Sequence, residues 1–164
     1  MKNQPIIIDI REKNSLIPAN LIEKGIKIKF ESLDIADYLI GDIAIERKTI
    51  PDLISSMINK RLFKQLAEIK KYPRYFLLIE GQDKLANPEK GLLLSIITDY
   101  QIPILFSEDE EDTTSYLTIL KKKFEKPKQE LTETQKKLYQ KLREWRANRA
   151  KKDGVPVFLV AKNI

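Results

Sequence analysis

Short apolar runs alternate with segments of helical periodicity, and this alternation limits the possible folds more than any other feature of the chain. Pro5–Ile10 and Arg74–Gly81 are continuous apolar runs, which are typical of strands buried on both faces. Further strands are predicted over residues 26–33 and 102–106, and helices over residues 18–25, 51–58, 62–72, 88–100 and 112–124. Strands that alternate with helices of this length predict an α/β sandwich.

A Gly41-Asp42 pair separates the apolar run Tyr38–Ile40 from a second run that begins at Ile43. Such a pair between two strand-like runs predicts a hairpin with a two-residue turn, in which glycine supplies a positive φ. With this turn Asp37 faces Glu46, and like charges in directly opposed positions destabilise a sheet. At about 4 Å and an effective dielectric near 20 the repulsion is roughly 4 kcal/mol. A divalent cation would turn this repulsion into a coordination site.

Lys48 lies two residues beyond Glu46, so strand periodicity places both side chains on one face. Two carboxylates and an ammonium on one surface suit phosphodiester hydrolysis, in which carboxylates hold a metal and the lysine orients water or offsets developing charge. Arg47 points to the opposite face, but its carbonyl stays available as a ligand. Asp42 shares the parity of Glu46 and is the alternative second carboxylate; Asp37 is favoured because Gly41-Asp42 fits a turn. A solvated, charged strand end explains the same residues without chemistry.

The chain has no cysteine and no histidine, which restricts the chemistry that it can perform. Acid–base and metal-binding roles fall to Asp, Glu, Lys or Tyr, and Mg²⁺ or Mn²⁺ are the expected metals because they prefer oxygen ligands. No small-molecule cofactor is expected. The lack of cysteine suits a reducing cytoplasm, and there is neither a signal-peptide pattern at the start nor an apolar run of the roughly 18 residues that cross a membrane.

The positive charge of the chain is concentrated in its last quarter. Residues 126–164 contain 11 Lys and Arg against 4 Asp and Glu, a net charge of +7, whereas residues 1–125 contain 19 against 20, a net charge of −1. A basic segment joined to a neutral body indicates a polyanionic partner such as nucleic acid. A solvated lysine-rich helix is the alternative interpretation.

Several motifs, in order, resemble the XPF-type nuclease domain, whose hallmark is Gly-Asp, a variable gap and then Glu-Arg-Lys-x-x-x-Asp. The matching stretches are Ile8-Asp9-Ile10-Arg11-Glu12, Ala36-Asp37-Tyr38, Glu46-Arg47-Lys48-Thr49-Ile50-Pro51-Asp52, Arg61-Leu62-Phe63-Lys64-Gln65 and Ile79-Glu80-Gly81. The resemblance covers about residues 5–125 and is greatest to archaeal members, including the nuclease half of the helicase–nuclease Hef.

This resemblance implies a restriction-endonuclease-like three-layer sandwich with a central mixed sheet. It also implies Mg²⁺ or Mn²⁺ dependence, incision of branched DNA such as flaps and forks in repair or recombination, dimerisation through the nuclease domain, and a location at the nucleoid, or in the nucleus of a eukaryote. By position, the implied metal ligands are Asp37, Glu46 and the Arg47 carbonyl, the catalytic lysine is Lys48, the further active-site residues are Asp9, Arg11 and Asp52, and the DNA-side residues are Arg11, Lys60, Arg61, Lys64 and Gln65.

The sequence departs from the family pattern in three respects. Ala36 replaces the glycine before Asp37, so the backbone there must accept a Cβ. Lys60 replaces the glycine before Arg61, which adds either a phosphate contact or a solvated charge. No tandem helix–hairpin–helix module follows the nuclease motifs.

The predicted organisation is a nuclease domain over residues 1–125, a polar linker over 126–130 and a basic helical extension over 131–164. The extension resembles the opening of an HRDC domain, the small nucleic-acid-binding module of RecQ helicases, through Leu138, Leu142, Arg143, Trp145 and Arg146 followed by Gly154-Val155-Pro156. Alternatively, the apolar stripe of this helix packs on the nuclease body.

Three functions are compatible with the sequence. The leading hypothesis is a metal-dependent, structure-specific DNA endonuclease. A catalytically inactive DNA-binding scaffold with the same fold is the second, and the intact set of Asp37, Glu46, Lys48 and Asp52 disfavours it. A restriction-like nuclease that cuts linear duplex is the third.

Overall fold

The computed structural model describes residues 4–58, 61–125 and 132–154. The chain divides into two compact units, Met1–Lys126 and Pro127–Ile164.

The first unit is built on a six-stranded mixed sheet in the order β2-β1-β3-β4-β5-β6. The strands are β1 (Ile6–Asp9), β2 (Ile28–Glu31), β3 (Tyr38–Ile40), β4 (Ile43–Thr49), β5 (Arg74–Glu80) and β6 (Ile104–Ser107). β3 pairs antiparallel with both β1 and β4, and the remaining neighbours pair in parallel. The predicted mixed sheet is confirmed.

Helices cover both faces of this sheet. They are α1 (Ile17–Glu23), α2 (Ile50–Ile58), α3 (Arg61–Ile69), α4 (Asn87–Thr98) and α5 (Glu110–Glu125). One core lies between the sheet and α2–α4, and includes Ala44, Leu66 and Ile79. The other core lies between the sheet and α1 and α5, and includes Tyr38 and Leu117. Because strand side chains alternate between faces, the central strands contribute to both cores, as a three-layer α/β sandwich requires.

A 3₁₀ helix over Ile10–Asn14 follows β1, and the apolar pattern does not predict it. The sequence pattern predicts that the first strand continues to Ile10, whereas β1 ends at Asp9. The Asp9 carboxylate accepts a hydrogen bond from the Arg11 N–H at 2.8 Å and so caps the 3₁₀ helix. A local side-chain bond of this kind competes with extended backbone and stops the strand.

The β3–β4 hairpin has the predicted register, with Ile40 opposite Ile43 and Leu39 opposite Ala44. Gly41, the first residue of the turn, has a φ of +62°. The Phe124 ring lies over this glycine, so that an added Cβ would overlap the ring. Both the turn conformation and the packing therefore require glycine here.

The second unit is described through a single helix, α6 (Glu133–Asp153). Thr132 and Gln135 form the predicted capping box at its start, and Gly154 ends it in the left-handed conformation. Leu138, Leu142 and Trp145 are exposed on its surface. The predicted linker over residues 126–130 lies outside the described residues.

Across the described ranges, no helix combines the length and the apolar character that a membrane span requires.

We expect Gly41→Ala to lower the free energy of unfolding by at least about 1–2 kcal/mol, because alanine in the left-handed region is strained and its Cβ would also overlap the Phe124 ring. Urea denaturation measures the change. Gly91→Ala is the matched control: Gly91 lies in α4 with open space around it, and alanine there should raise stability by about 0.5–1 kcal/mol. Equal shifts in the two variants would contradict the described turn.

Candidate active site

Asp37 and Glu46 lie side by side at the end of the hairpin. The Asp37 N–H donates to the Ile45 carbonyl at 2.9 Å, which extends the β3–β4 pairing one residue beyond β3. Glu46 points to the face of the sheet covered by α2 and α3 and is only 5% exposed, and the half-buried Asp37 lies close enough for the two charges to interact. The predicted juxtaposition of the two carboxylates is thus present.

The backbone directly before this pair is strained. Ala36 has a φ of +72°, in the left-handed region that glycine favours, and its methyl group is buried in the core beside α2–α4. For a residue with a Cβ this conformation costs roughly 1–2 kcal/mol. The expectation that the backbone at Ala36 must accept a Cβ is confirmed.

Three donors surround the pair. The Arg47 N–H donates to Asp37 Oδ2 at 2.8 Å, and the Gln65 side-chain amide of α3 donates to Glu46 Oε1 at 2.6 Å. Lys48 Nζ lies 3.5 Å from the same Glu46 oxygen, with only 5% of its side chain exposed. Glu46 and Lys48 therefore share one face of β4, as strand periodicity predicts.

Burial and mutual repulsion make both carboxyl groups reluctant to ionise. Removal from water, and then the charge of Glu46, raise the pKa of Asp37 to about 8. Removal from water also raises the pKa of Glu46, although the charge of Lys48 opposes this. The three donors therefore compensate the two negative charges only in part.

The chemistry of this cluster fits a hard divalent cation. Its free ligands are carboxylate oxygens, which Mg²⁺ and Mn²⁺ prefer. Gln65 Oε1 is buried beside Glu46 and accepts no hydrogen bond, so it has capacity for a donor such as a metal-held water. Within residues 4–58, 61–125 and 132–154, no three Asp or Glu side chains converge as a ready-made metal cluster. A cation at Asp37 and Glu46 would thus need further oxygen ligands from backbone, water or phosphate.

Asp9 and Arg11 lie beside the pair but are committed to each other. Asp9 is fully buried and accepts hydrogen bonds from Arg11 Nε at 2.5 Å and from the Leu33 N–H at 2.7 Å. The hydrogen bond from the Arg11 side chain lowers the pKa of Asp9 to about 2. The hydrogen bond to Asp9 raises the pKa of Arg11, and the negative charges of Asp9, Asp37 and Glu46 add to this effect. Asp9 therefore holds Arg11 at the site.

Two other predicted acidic residues are bonded to partners of their own. Asp52, in the first turn of α2, accepts a hydrogen bond from the Thr49 hydroxyl at 2.8 Å, and Thr49 shares the strand parity of Arg47 rather than that of Glu46. Asp42 forms an ion pair with Arg74 at the far end of β4. Asp37, not the alternative Asp42, is thus the carboxylate brought to Glu46.

The predicted DNA-side residues on and before α3 divide into three cases. Arg61 and Lys64 are exposed on α3, one helical turn apart, on the helix that also supplies Gln65. Gln65 contacts Glu46 and so belongs to the site itself. Lys60 lies outside the described residues.

The Arg47 side chain points to the reverse face of the sheet, as parity predicts, and it enters an ionic cluster that the sequence did not reveal. Its guanidinium donates to both oxygens of Glu80, and to Glu12 Oε2 at 3.1 Å and Glu110 Oε1 at 3.3 Å. Burial alone would lower the pKa of Arg47, but the hydrogen bonds and the charge of Glu80 have the larger effect and raise it. The sequence did contain a signal for this cluster. Strand alternation places the Arg47 side chain on the face opposite to Glu46, and a guanidinium buried there needs carboxylate partners.

We expect Asp37→Asn to stabilise the metal-free protein at pH 7 by on the order of 2 kcal/mol. The folded protein holds the Asp37 proton up to about pH 8, whereas the unfolded chain releases it near 3.8. Stability of the wild type should therefore fall as the pH rises through this window. Asparagine removes that loss and keeps the acceptor for the Arg47 N–H.

Urea denaturation at several pH values measures the effect, and Asp34→Asn, at an exposed position, is the control. A variant at Asp37 that is less stable than the wild type at pH 7 would show that its carboxylate is well compensated without a metal.

Comparison with known proteins identifies the domain. Residues 8–120 match the ERCC4 domain. A putative ATP-dependent RNA helicase of Methanocaldococcus jannaschii is 40% identical over 68% of this chain and 14% of its own length. The 3′-flap repair endonuclease Xpf of Saccharolobus solfataricus is 36% identical over 73% of this chain and 55% of its own length. This chain thus spans about half the length of the Saccharolobus solfataricus relative and a much smaller part of the Methanocaldococcus jannaschii one.

Solved structures show the same fold. XPF from Aeropyrum pernix in complex with DNA superposes with a TM-score of 0.68 and 26% identity, over 83% of this chain and 72% of that one. This likeness confirms the predicted restriction-endonuclease-like sandwich. Because the ERCC4 match covers well over half of the sequence, this chain belongs to the ERCC4 domain family of XPF-type nuclease domains.

Proposed function

We propose that this chain is a metal-dependent endonuclease domain that hydrolyses phosphodiester bonds in branched DNA. The observation that carries the proposal is the pair formed by the half-buried Asp37 and the buried Glu46, under-compensated by its donors and flanked by Lys48. An arrangement that places two repelling carboxylates together costs stability, and a bound cation recovers that cost.

The distribution of charge around the site supports an approach of DNA from the side of α3. Arg61 and Lys64 are exposed on this helix, next to the position from which Gln65 reaches Glu46. A separate open groove of about 630 Å³ is lined by acidic side chains, which disfavour a phosphate backbone. The acidic residues of that groove are Glu80, Asp83, Glu108, Asp109, Glu110 and Glu111.

Asp37, Glu46 and the Arg47 carbonyl would hold Mg²⁺ or Mn²⁺, and the bound ion would polarise the scissile phosphate and lower the pKa of a water molecule. Lys48 donates from its ammonium to the attacking water or to a phosphate oxygen and offsets developing negative charge. Gln65 fixes the rotamer of Glu46 by its hydrogen bond. The Arg47 N–H orients the Asp37 carboxylate.

The relatives favour branched DNA over linear duplex as the substrate. One curated relative is named as a 3′-flap repair endonuclease, and others are named as DNA repair endonucleases, such as XPF of Mus musculus. A 3′ flap is therefore the first substrate to test. The homodimer that the family resemblance implies stays a prediction, as does the HRDC-like role of residues 131–164.

Helix α6 is proposed to add phosphate contacts outside the active site. It contains eight Lys and Arg against three Asp and Glu, while the first 125 residues are close to neutral. Helix periodicity places Lys137, Lys141 and Lys152 on one side of α6, and all three are exposed.

We expect Lys48→Ala and Glu46→Gln each to slow cleavage of a labelled 3′ flap by at least about 100-fold, because each removes a group that acts on developing charge or on the metal. Single-turnover assays with Mg²⁺, Mn²⁺ or EDTA measure the rates. The exposed residues Lys90 and Glu23 supply matched controls, Lys90→Ala and Glu23→Gln.

The substrate panel should include a fork and a linear duplex of the same sequence. Equal cutting of linear and flapped DNA would favour the restriction-like alternative. Binding of forked DNA without cutting in either metal would establish the inactive scaffold and overturn the proposed activity.

Replacing Lys137, Lys141 and Lys152 together by glutamine should weaken binding to duplex DNA. The slope of log affinity against log salt should fall by about 0.9 for each phosphate that the variant no longer neutralises. Lysine and glutamine have similar helix propensities, so circular dichroism should show an intact helix. Fluorescence anisotropy over a salt series gives the slope. An unchanged slope would show that this side of α6 does not contact DNA.

A further inference from the structure

The strongest unexplained contact lies directly behind the active site, on the reverse face of the sheet. Glu12 Oε2 accepts one hydrogen bond from the Tyr38 hydroxyl at 2.7 Å and another from Arg47 Nη1 at 3.1 Å. Tyr38 immediately follows Asp37, and Arg47 immediately follows Glu46. A single carboxylate oxygen therefore joins the two residues that succeed the two candidate metal ligands.

This junction lies at the end of β3, beside the place where Asp37 and Glu46 come together. β3 has only three residues, Tyr38–Ile40, so Asp37 stands beyond its end. The Asp37 backbone donates to the Ile45 carbonyl at 2.9 Å and accepts from the Asp9 N–H at 2.8 Å. A tie between Tyr38 and Arg47, the residues that follow Asp37 and Glu46, therefore resists separation of the strands at this end.

The Arg47 end of the tie is anchored firmly. The guanidinium donates to both oxygens of Glu80, and Glu80 in turn accepts from the Thr113 hydroxyl at 2.6 Å. The side chain of Arg47 is 12% exposed and that of Glu12 is 17% exposed, so solvent and salt screen their ion pair little. Glu12 thus links Tyr38 to a fixed point on β4, β5 and α5.

We propose that Glu12 is a positioning residue of the active site, which holds Asp37 and Glu46 at the separation that a divalent cation needs by bonding to Tyr38 and Arg47 from behind. It touches neither substrate nor metal. The inference rests on the proposed metal-dependent function and adds a residue that acts through the sheet. Groups that orient metal ligands in this way typically change metal affinity or activity by about 10- to 100-fold when they are removed.

A purely structural role is the alternative, because a partly buried carboxylate that accepts two hydrogen bonds also stabilises a fold. The two roles differ in what a mild substitution changes. Substitution of a purely structural residue lowers stability and leaves the metal affinity of the folded fraction unchanged. Substitution of a positioning residue lowers metal affinity and kcat, while KM for DNA stays the same.

The test uses the full chain and three variants. Glu12→Gln weakens the junction, Tyr38→Phe removes one hydroxyl from it with little change in volume, and Glu111→Gln is an exposed control on α5. Titration calorimetry with Mn²⁺ gives the metal affinity, and steady-state cleavage of a 3′ flap gives kcat and KM. Amide exchange at Arg47, whose N–H bonds to Asp37, reports the metal-free geometry.

We expect the Mn²⁺ dissociation constant of Glu12→Gln to rise by about tenfold or more, with a smaller rise for Tyr38→Phe and none for Glu111→Gln. Exchange at the Arg47 amide should accelerate in the same order. Wild-type metal affinity and kcat in folded Glu12→Gln and Tyr38→Phe would overturn the positioning role while leaving the proposed function intact. Absence of Mn²⁺ binding by the wild type would overturn both.

Discussion

The repulsion between Asp37 and Glu46 is the constraint around which the first unit is organised. The hairpin register sets Ile40 opposite Ile43 and thereby carries two acidic side chains to the same place on one face. Burial removes part of the hydration of both carboxylates and raises the pKa of each. The fold sustains this unfavourable pair through contacts on both sides of the sheet. A costly arrangement with no structural benefit points to function.

The two faces of β4 have different roles. Glu46 and Lys48 face α2 and α3, where Gln65 contacts Glu46. Arg47 faces the other way into carboxylates from the 3₁₀ helix, β5 and α5. These contacts hold β4 on its reverse face, whereas Glu46 and Lys48, the candidate active-site residues, lie on the opposite face. The strained backbone at Ala36 lies at the same junction, which is consistent with a site that stores conformational energy in its frame.

Local patterns in the sequence were enough to predict the hairpin, the pairing of Asp37 with Glu46 and the opposite direction of Arg47. Those features depend on a two-residue turn and on strand alternation, which act over a few residues. The contacts of Glu12 were beyond prediction because they require a 3₁₀ helix to return its side chain toward two distant strands. Gln65 was predicted on the DNA side, and this stays a prediction; its contact with Glu46 could not be predicted, because the packing of α3 sets the direction of that side chain.

One cation shared by Asp37 and Glu46 is the central claim, and the proposed chemistry depends on it. Anomalous diffraction from crystals soaked in Mn²⁺ tests this claim most directly, because it locates the ion without relying on activity. We expect a single peak between the two carboxylates, within reach of the Arg47 carbonyl, that disappears in Glu46→Gln. A peak elsewhere, or none while both carboxylates bond only to protein groups, would contradict the claim.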